Sequence, residues 1–110
     1  MSTMQVIEID AAPSRKIEVP GQTRTIIDTL TTTEMTTHVG IFPPGQSSSE
    51  HSHPNSDEIV YVVKGEGTVK AGGVTKQYRA NHLVHIPRGM QHQYTNTGNG
   101  ELVLFVVYNP

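Results

Sequence analysis

The sequence has 110 residues, enough for one domain built around one core. Hydrophobic residues make up 35% and charged residues 16%, and the formal net charge is −2 with no basic cluster or stripe, which argues against a nucleic-acid or polyanion binder. Cysteine is absent, which excludes a disulfide framework, a cysteine-based zinc site and a thiol nucleophile.

From the N-terminus, MSTMQVIEIDAAPSRK lacks a basic start followed by an apolar run, so no secretory leader is expected. No stretch approaches the roughly 20 apolar residues of a membrane-spanning helix, and the expectation is a soluble, cytoplasmic protein. Residues 1–20, with AAPSRK and Pro20-Gly21, read as an N-terminal arm or edge strand laid over the body. RTIIDTL (24–30) and MTTHVGIF (35–42) are rich in β-branched residues and read as strands. The threonine-biased TLTTTEMTT (29–37) between them reads as a strand end, a turn and the next strand. Further strands follow at EIVYVV (58–63), GTVKA (67–71), VTKQY (74–78), LVHIP (83–87), QHQYTN (91–96) and LVLFVVY (102–108). Gly72-Gly73 is a two-residue hairpin signal. Pro87-Arg88-Gly89 makes a turn in which proline presets φ. No segment keeps an apolar 3.6-residue period long enough for a helix. Many short strands at regular spacing give an all-β sandwich or barrel. LVLFVVY is apolar on both faces, so it needs a second layer, either the other sheet or a partner subunit.

Chemistry concentrates in GQSSSEHSHPNSDE (45–58). Side chains alternate across a strand, so His51 and His53 share a face with Ser52 on the other. Glu58 opens EIVYVV on the face of Val60 and Val62, where its carboxylate points into an apolar interior. A bound cation offsets the cost of such burial. Pro54-Asn55-Ser56-Asp57 supplies the turn that brings Glu58 beside the histidines. His92 follows the Pro87 turn at the start of another strand, with Tyr94 and Asn96 on its face. Three imidazoles and one carboxylate from two strand regions form a set for one divalent transition metal.

These residues carry a family resemblance. Gly45, His51, His53, Glu58 and Gly65, in the segment 45–65, resemble the first motif of the cupin family. Pro87, Gly89, His92 and Asn96, in the segment 81–96, resemble the second. One departure stands out: the glycine expected to open the second motif is Asn81, the usual substitute for glycine where φ is positive. Only residues 66–80 separate the motifs, room for little more than one hairpin. The resemblance implies a single cupin domain over 1–110, a jelly-roll β-barrel of two antiparallel sheets. It also implies a central metal, a cavity open at one end, and commonly a homodimer.

Other residues have plainer competing roles. Ser47 to Ser49 read as ordinary loop, His82 as solvent-facing, and Met35 and Phe42 as core or cavity wall. His38 can reach the cavity, but a surface or hydrogen-bonded core role is the stronger expectation. Arg24 and Asp28 share a strand face, and they either orient a substrate or pair on the surface. Tyr94 either serves catalysis as acid, base or anchor, or fills the interior with a local hydrogen bond.

The leading expectation is a metal-dependent dioxygenase acting on a small organic substrate. His51, His53, Glu58 and His92 would hold Fe, Mn, Ni, Co, Cu or Zn, with Tyr94 as nearby acid or hydrogen-bond donor. The alternatives are a non-redox isomerase, decarboxylase or lyase, or a non-catalytic sugar- or metabolite-binding protein. A small molecule is the expected partner, with neither nucleic acid nor membrane.

Overall fold

Val, Ile, Thr and Tyr at alternating positions favour extended backbone. The computed structural model, which describes residues 3–109, folds these runs into nine strands. They are β1 (Ser14–Ile17), β2 (Arg24–Thr31), β3 (Thr36–Phe42), β4 (Glu58–Lys64), β5 (Glu66–Ala71), β6 (Val74–Arg79), β7 (Leu83–Ile86), β8 (His92–Asn96) and β9 (Leu102–Tyr108). A single 3-10 turn, Ile9–Ala11, precedes them. Every strand expected from the sequence is present. The larger sheet has the order β1-β2-β3-β9-β4-β7 and the smaller β6-β5-β8, all antiparallel, so the two-sheet jelly roll is met. In the segment read as an arm or edge strand, β1 pairs with β2 at the edge of the larger sheet. Met1, Ser2 and Pro110, the extremities of the domain expected over 1–110, lie outside the described residues. Among the described residues, no helix is long and apolar enough to cross a membrane.

Period-two alternation decides what is buried. In β4, Glu58, Val60 and Val62 face the interior, whereas Ile59, Tyr61 and Val63 are exposed. In β9, Leu102, Leu104 and Val106 are buried and meet Phe42, Val69, Tyr78 and Tyr94 in one cluster. Each such aliphatic side chain contributes about 1.5–3 kcal/mol on burial. The outer residues Val103, Phe105 and Val107 are only half-buried. LVLFVVY therefore has its second layer on one face; on the other, Phe105 lies between its sheet neighbours Val39 and Tyr61. Met35 departs from its expected place in the core or cavity wall. It sits exposed in the β2–β3 turn, where the Thr32 hydroxyl accepts from the Glu34 and Met35 amides.

Two turns carry the chain between the motifs. Asn81 adopts a φ of 69°, the left-handed conformation a glycine would take, and its Oδ1 accepts from the Tyr61 hydroxyl at 3.1 Å. Gly65 has a φ of +90°, and a Cβ there would stand 2.5 Å from the Glu101 carbonyl oxygen. Left-handed backbone costs an ordinary residue roughly 1–2 kcal/mol, and the clash adds to it. Gly65→Ala is expected to cost at least about 2 kcal/mol in urea unfolding. Asn81→Gly should stay within about 1 kcal/mol of the parent. A fully stable Gly65→Ala would contradict this account of the turn.

Candidate metal centre

The centre begins with backbone pairing. His51 and His92 form an antiparallel bridge: the His51 amide donates to the His92 carbonyl at 3.1 Å, and the His92 amide returns the bond at 2.8 Å. Directly opposed residues present their side chains on the same face, so the two rings come together with centroids 4.2 Å apart. A second bridge, Ser47 to Thr95, docks the preceding loop on the free edge of β8. The serine run is therefore more than ordinary loop. Ser47 and Thr95 share a hydroxyl–hydroxyl bond of 2.7 Å, and buried Ser48 accepts from the Tyr94 amide at 3.0 Å.

His53 reaches the cluster differently from the sequence reading, because it lies beyond the bridge and outside any strand. Pro54 follows it, biasing His53 toward extended backbone and supplying no amide for further pairing. The His53 carbonyl instead accepts from Gly89, tying the first motif to the turn before His92. Its ring stacks on Tyr108 at 4.0 Å. Glu58 enters from β4 with its side chain 2% exposed.

Three imidazole Nε2 atoms converge on this carboxylate: His53 at 3.0 Å and His51 at 4.0 Å from Oε1, and His92 at 3.0 Å from Oε2. One candidate ligand atom from each of the four residues lies within 4.8 Å of every other. With bonds of about 2.1 Å, neighbouring ligand atoms of an octahedral ion stand roughly 3.0 Å apart and opposite ones roughly 4.2 Å. The tautomers suit this set. His51 Nδ1 lies 3.0 Å from the Ser49 carbonyl and His92 Nδ1 2.9 Å from the Met90 carbonyl, so each Nδ1 carries the proton and leaves Nε2 free. His92 Nε2 is buried without a hydrogen-bond partner, since its approach to Glu58 has ion-pair distance but not hydrogen-bond geometry. A buried polar atom left in that state is costly unless something else binds it. The four residues fit a divalent transition metal.

Burial alone would push the Glu58 carboxyl up, but contacts with His92 and Tyr94, with the nearby imidazoles, outweigh it and hold the group below the usual carboxylate range. Burial depresses His51 more than the Ser49 carbonyl and Glu58 raise it. At His92 burial is outweighed, and Glu58 with the Met90 carbonyl lifts the imidazole above its ordinary value. Tyr94 Oη donates to Glu58 Oε2 at 2.5 Å. Burial, then the neighbouring carboxylate, push its phenol far up, so Tyr94 keeps its proton. Asn96 is structural: its amide donates to the Phe42 and Gly100 carbonyls at 2.8 and 2.9 Å.

The cluster opens into a cavity of about 230 Å³, walled by Ile26, Phe42, Leu104 and Val106, with Arg24 and Asp28 also in its lining. His38 lines it too, contrary to the stronger expectation, because it shares an inward row with Asp28 and Val106. Burial holds its imidazole below the ordinary value. Arg24 and Asp28 do not pair with each other; Asp28 is bound by Arg15 at 3.0 and 3.3 Å. Tyr108 belongs to no motif in the sequence, yet it lies opposite Glu58 in the β4–β9 register and lines the cavity. Its inward parity with Leu102, Leu104 and Val106 was the available signal. His82 is exposed, as expected, and His85, also exposed, lies 3.0 Å from Asp57. A larger hollow of about 570 Å³ between β6 and β7 shares no lining residue with the cluster.

Residues 38–108 match the family model described as "Cupin domain". The chain is 36% identical over 100 residues to the polyketide synthase CurC of Streptomyces cyaneus, which covers 88% of this chain and 64% of that protein. It is 34% identical over 76 residues to oxalate oxidase 1 of Hordeum vulgare, covering 62% of this chain and 38% of that protein. The chain thus spans less than two thirds of either relative. Among solved structures, a predicted oxalate decarboxylase from Thermotoga maritima superposes with a TM-score of 0.87 at 22% identity. That match covers 96% of this chain and 98% of the other, and it is a likeness of fold.

Metal-stripped protein is expected to take up one equivalent of Mn(II) or Co(II) and gain stability, about 2.7 kcal/mol at a hundredfold excess over Kd. His92→Ala should lose both effects, whereas Tyr94→Phe should keep the stoichiometry. Uptake should weaken as the solution is acidified, where protons compete with the ion for the imidazoles. The raised His92 extends that competition to higher pH. Equal metal content in His92→Ala and the parent would remove the four-ligand arrangement.

Proposed function

This chain belongs to the cupin family, and from that premise we propose that it is a metal-dependent enzyme acting on a small oxygen-chelating organic substrate, with dioxygen as co-substrate. The observation that carries the reading is the convergence of three Nε2 atoms on the buried Glu58 carboxylate beside a cavity. Held by His51, His53, Glu58 and His92, a divalent Fe, Mn, Ni, Co, Cu or Zn ion would polarise substrate oxygens and, if redox-active, support O2 chemistry.

The chain's own residues prepare that chemistry. Tyr94 fixes one Glu58 oxygen through its hydroxyl, leaving the other toward His51 and His53, and so acts as a positioning residue. Of the two roles expected for Tyr94, this supports the hydrogen-bond donor. Tyr108 stacks on His53 and limits the swing of its ring. Ile26, Phe42, Leu104 and Val106 form an apolar wall that admits O2 and disfavours water. Sequence similarity to a protein named oxalate oxidase supports an oxidative reaction over a non-redox one.

The test is O2 uptake by Fe(II)- or Mn(II)-loaded protein over a panel of keto acids, diketones, catechols and thiols. At least one substrate should consume O2 in step with its loss, and His92→Ala should abolish it. Turnover of the same substrate without O2 would replace the dioxygenase with an isomerase, decarboxylase or lyase.

The reading includes a homodimer. Ile59, Tyr61, Val63 and Leu83 leave apolar side chains exposed on the outer face of the larger sheet, where a second copy would cover them. Sedimentation equilibrium at micromolar concentration should give twice the chain mass, and Tyr61→Glu should give monomers. A monomeric parent would contradict the assembly.

A further inference from the structure

Not every charged side chain around the cavity has a partner. Arg15 and Asp28 neutralise each other through two hydrogen bonds. Glu58 is enclosed by the imidazoles. Arg24, half-buried at the start of β2, lines the same cavity with no carboxylate within salt-bridge distance among the described residues. Its one hydrogen bond among those residues runs from Nη1 to the Gln22 carbonyl at 2.7 Å. A guanidinium has five N–H donors, so four are left without a protein acceptor. Burial, then the nearby Arg15 charge, disfavour the cation, yet arginine keeps its charge at neutral pH. An anion entering the cavity relieves that cost.

Arg24 is also tied to the metal-ligand loop. The Thr23 amide donates to Gln46 Oε1 at 3.0 Å, and the Ser47 amide donates to the Gly21 carbonyl at 2.9 Å. The start of β2 and the segment leading to His51 are thereby fastened together, which sets the cation relative to the cluster. The volume, about 230 Å³, equals roughly seven or eight waters at about 30 Å³ each, matching a substrate of few heavy atoms.

We propose that Arg24 is a specificity-determining residue that binds a carboxylate of the substrate through its guanidinium fork, so that the site selects small oxo-, hydroxy- or dicarboxylic acids over neutral chelators. This rests on the reading of the cluster as a site for oxygen-chelating substrates. The fork matches carboxylate geometry, and a charge-assisted pair in a partly desolvated cavity discriminates strongly against an uncharged isostere.

The experiment is calorimetric titration of the Mn(II)-loaded protein with pyruvate and with butane-2,3-dione, which replaces the carboxylate oxygen by a methyl group. The parent should bind pyruvate at least about tenfold more tightly than the dione. Arg24→Gln should reduce that preference several-fold by weakening pyruvate alone, with metal content and melting temperature unchanged; what remains is the ion's own preference for a carboxylate. Arg24→Lys, which keeps the charge but loses the fork, should fall between them. A preference of unchanged size in Arg24→Gln overturns the role of Arg24 and leaves the chelation reading standing. A loaded parent that binds neither ligand overturns both.

Discussion

Glu58 is a carboxylate withdrawn almost completely from water inside an apolar barrel, and the structure around it compensates that charge. An ion buried without partners costs several kcal/mol. Here both oxygens are engaged, Oε1 by His53 and Oε2 by Tyr94, with His51 and His92 close by. The carboxylate stays ionised despite its burial. The protein thereby holds a compact anionic centre faced by three imidazole nitrogens, a donor set suited to a divalent cation.

Strand pairing supplies the accuracy of that arrangement. The His51–His92 bridge brings two ligands together through backbone bonds, so their relative position does not depend on flexible side chains. Ser47, Ser48 and Gln46 secure the same loop to β8 and to the start of β2. Alternation in β4 and β9 then builds the cavity wall from the inward residues of the larger sheet, while the outward apolar row is exposed in β4 and half-buried in β9. One sheet thus presents two different surfaces, the cavity wall inside and a partly exposed apolar row outside.

Much of this was legible in the sequence because β structure writes itself in a period of two. The strands, the Gly72-Gly73 hairpin and the positive φ of Asn81 follow from local residue chemistry. The four candidate ligands were also readable, since their spacing coincides with a family motif. What remained hidden depended on cross-strand register, which no single segment encodes. Tyr108 meets His53 only because β9 pairs with β4 so that Tyr108 lies opposite Glu58. His38 faces the cavity only through its pairing with Asp28 and Val106, and Asp28 found Arg15 on a strand the sequence marked faintly. The serine run looked like solvated loop because side-chain bonds across dozens of residues leave no local signature. Met35 departs from expectation for the opposite reason: an apolar side chain points to the core by type, but a threonine turn holds it outside.

The central claim is that His51, His53, Glu58 and His92 together hold one metal ion. X-ray absorption fine structure of the Mn(II)-loaded protein tests it most directly, because imidazole rings give a distinctive outer-shell scattering pattern. The account predicts three imidazole nitrogens and a carboxylate oxygen in the first shell at about 2.0–2.2 Å, with solvent or substrate oxygen completing it. A shell of oxygen atoms alone, or of a single imidazole, would contradict it.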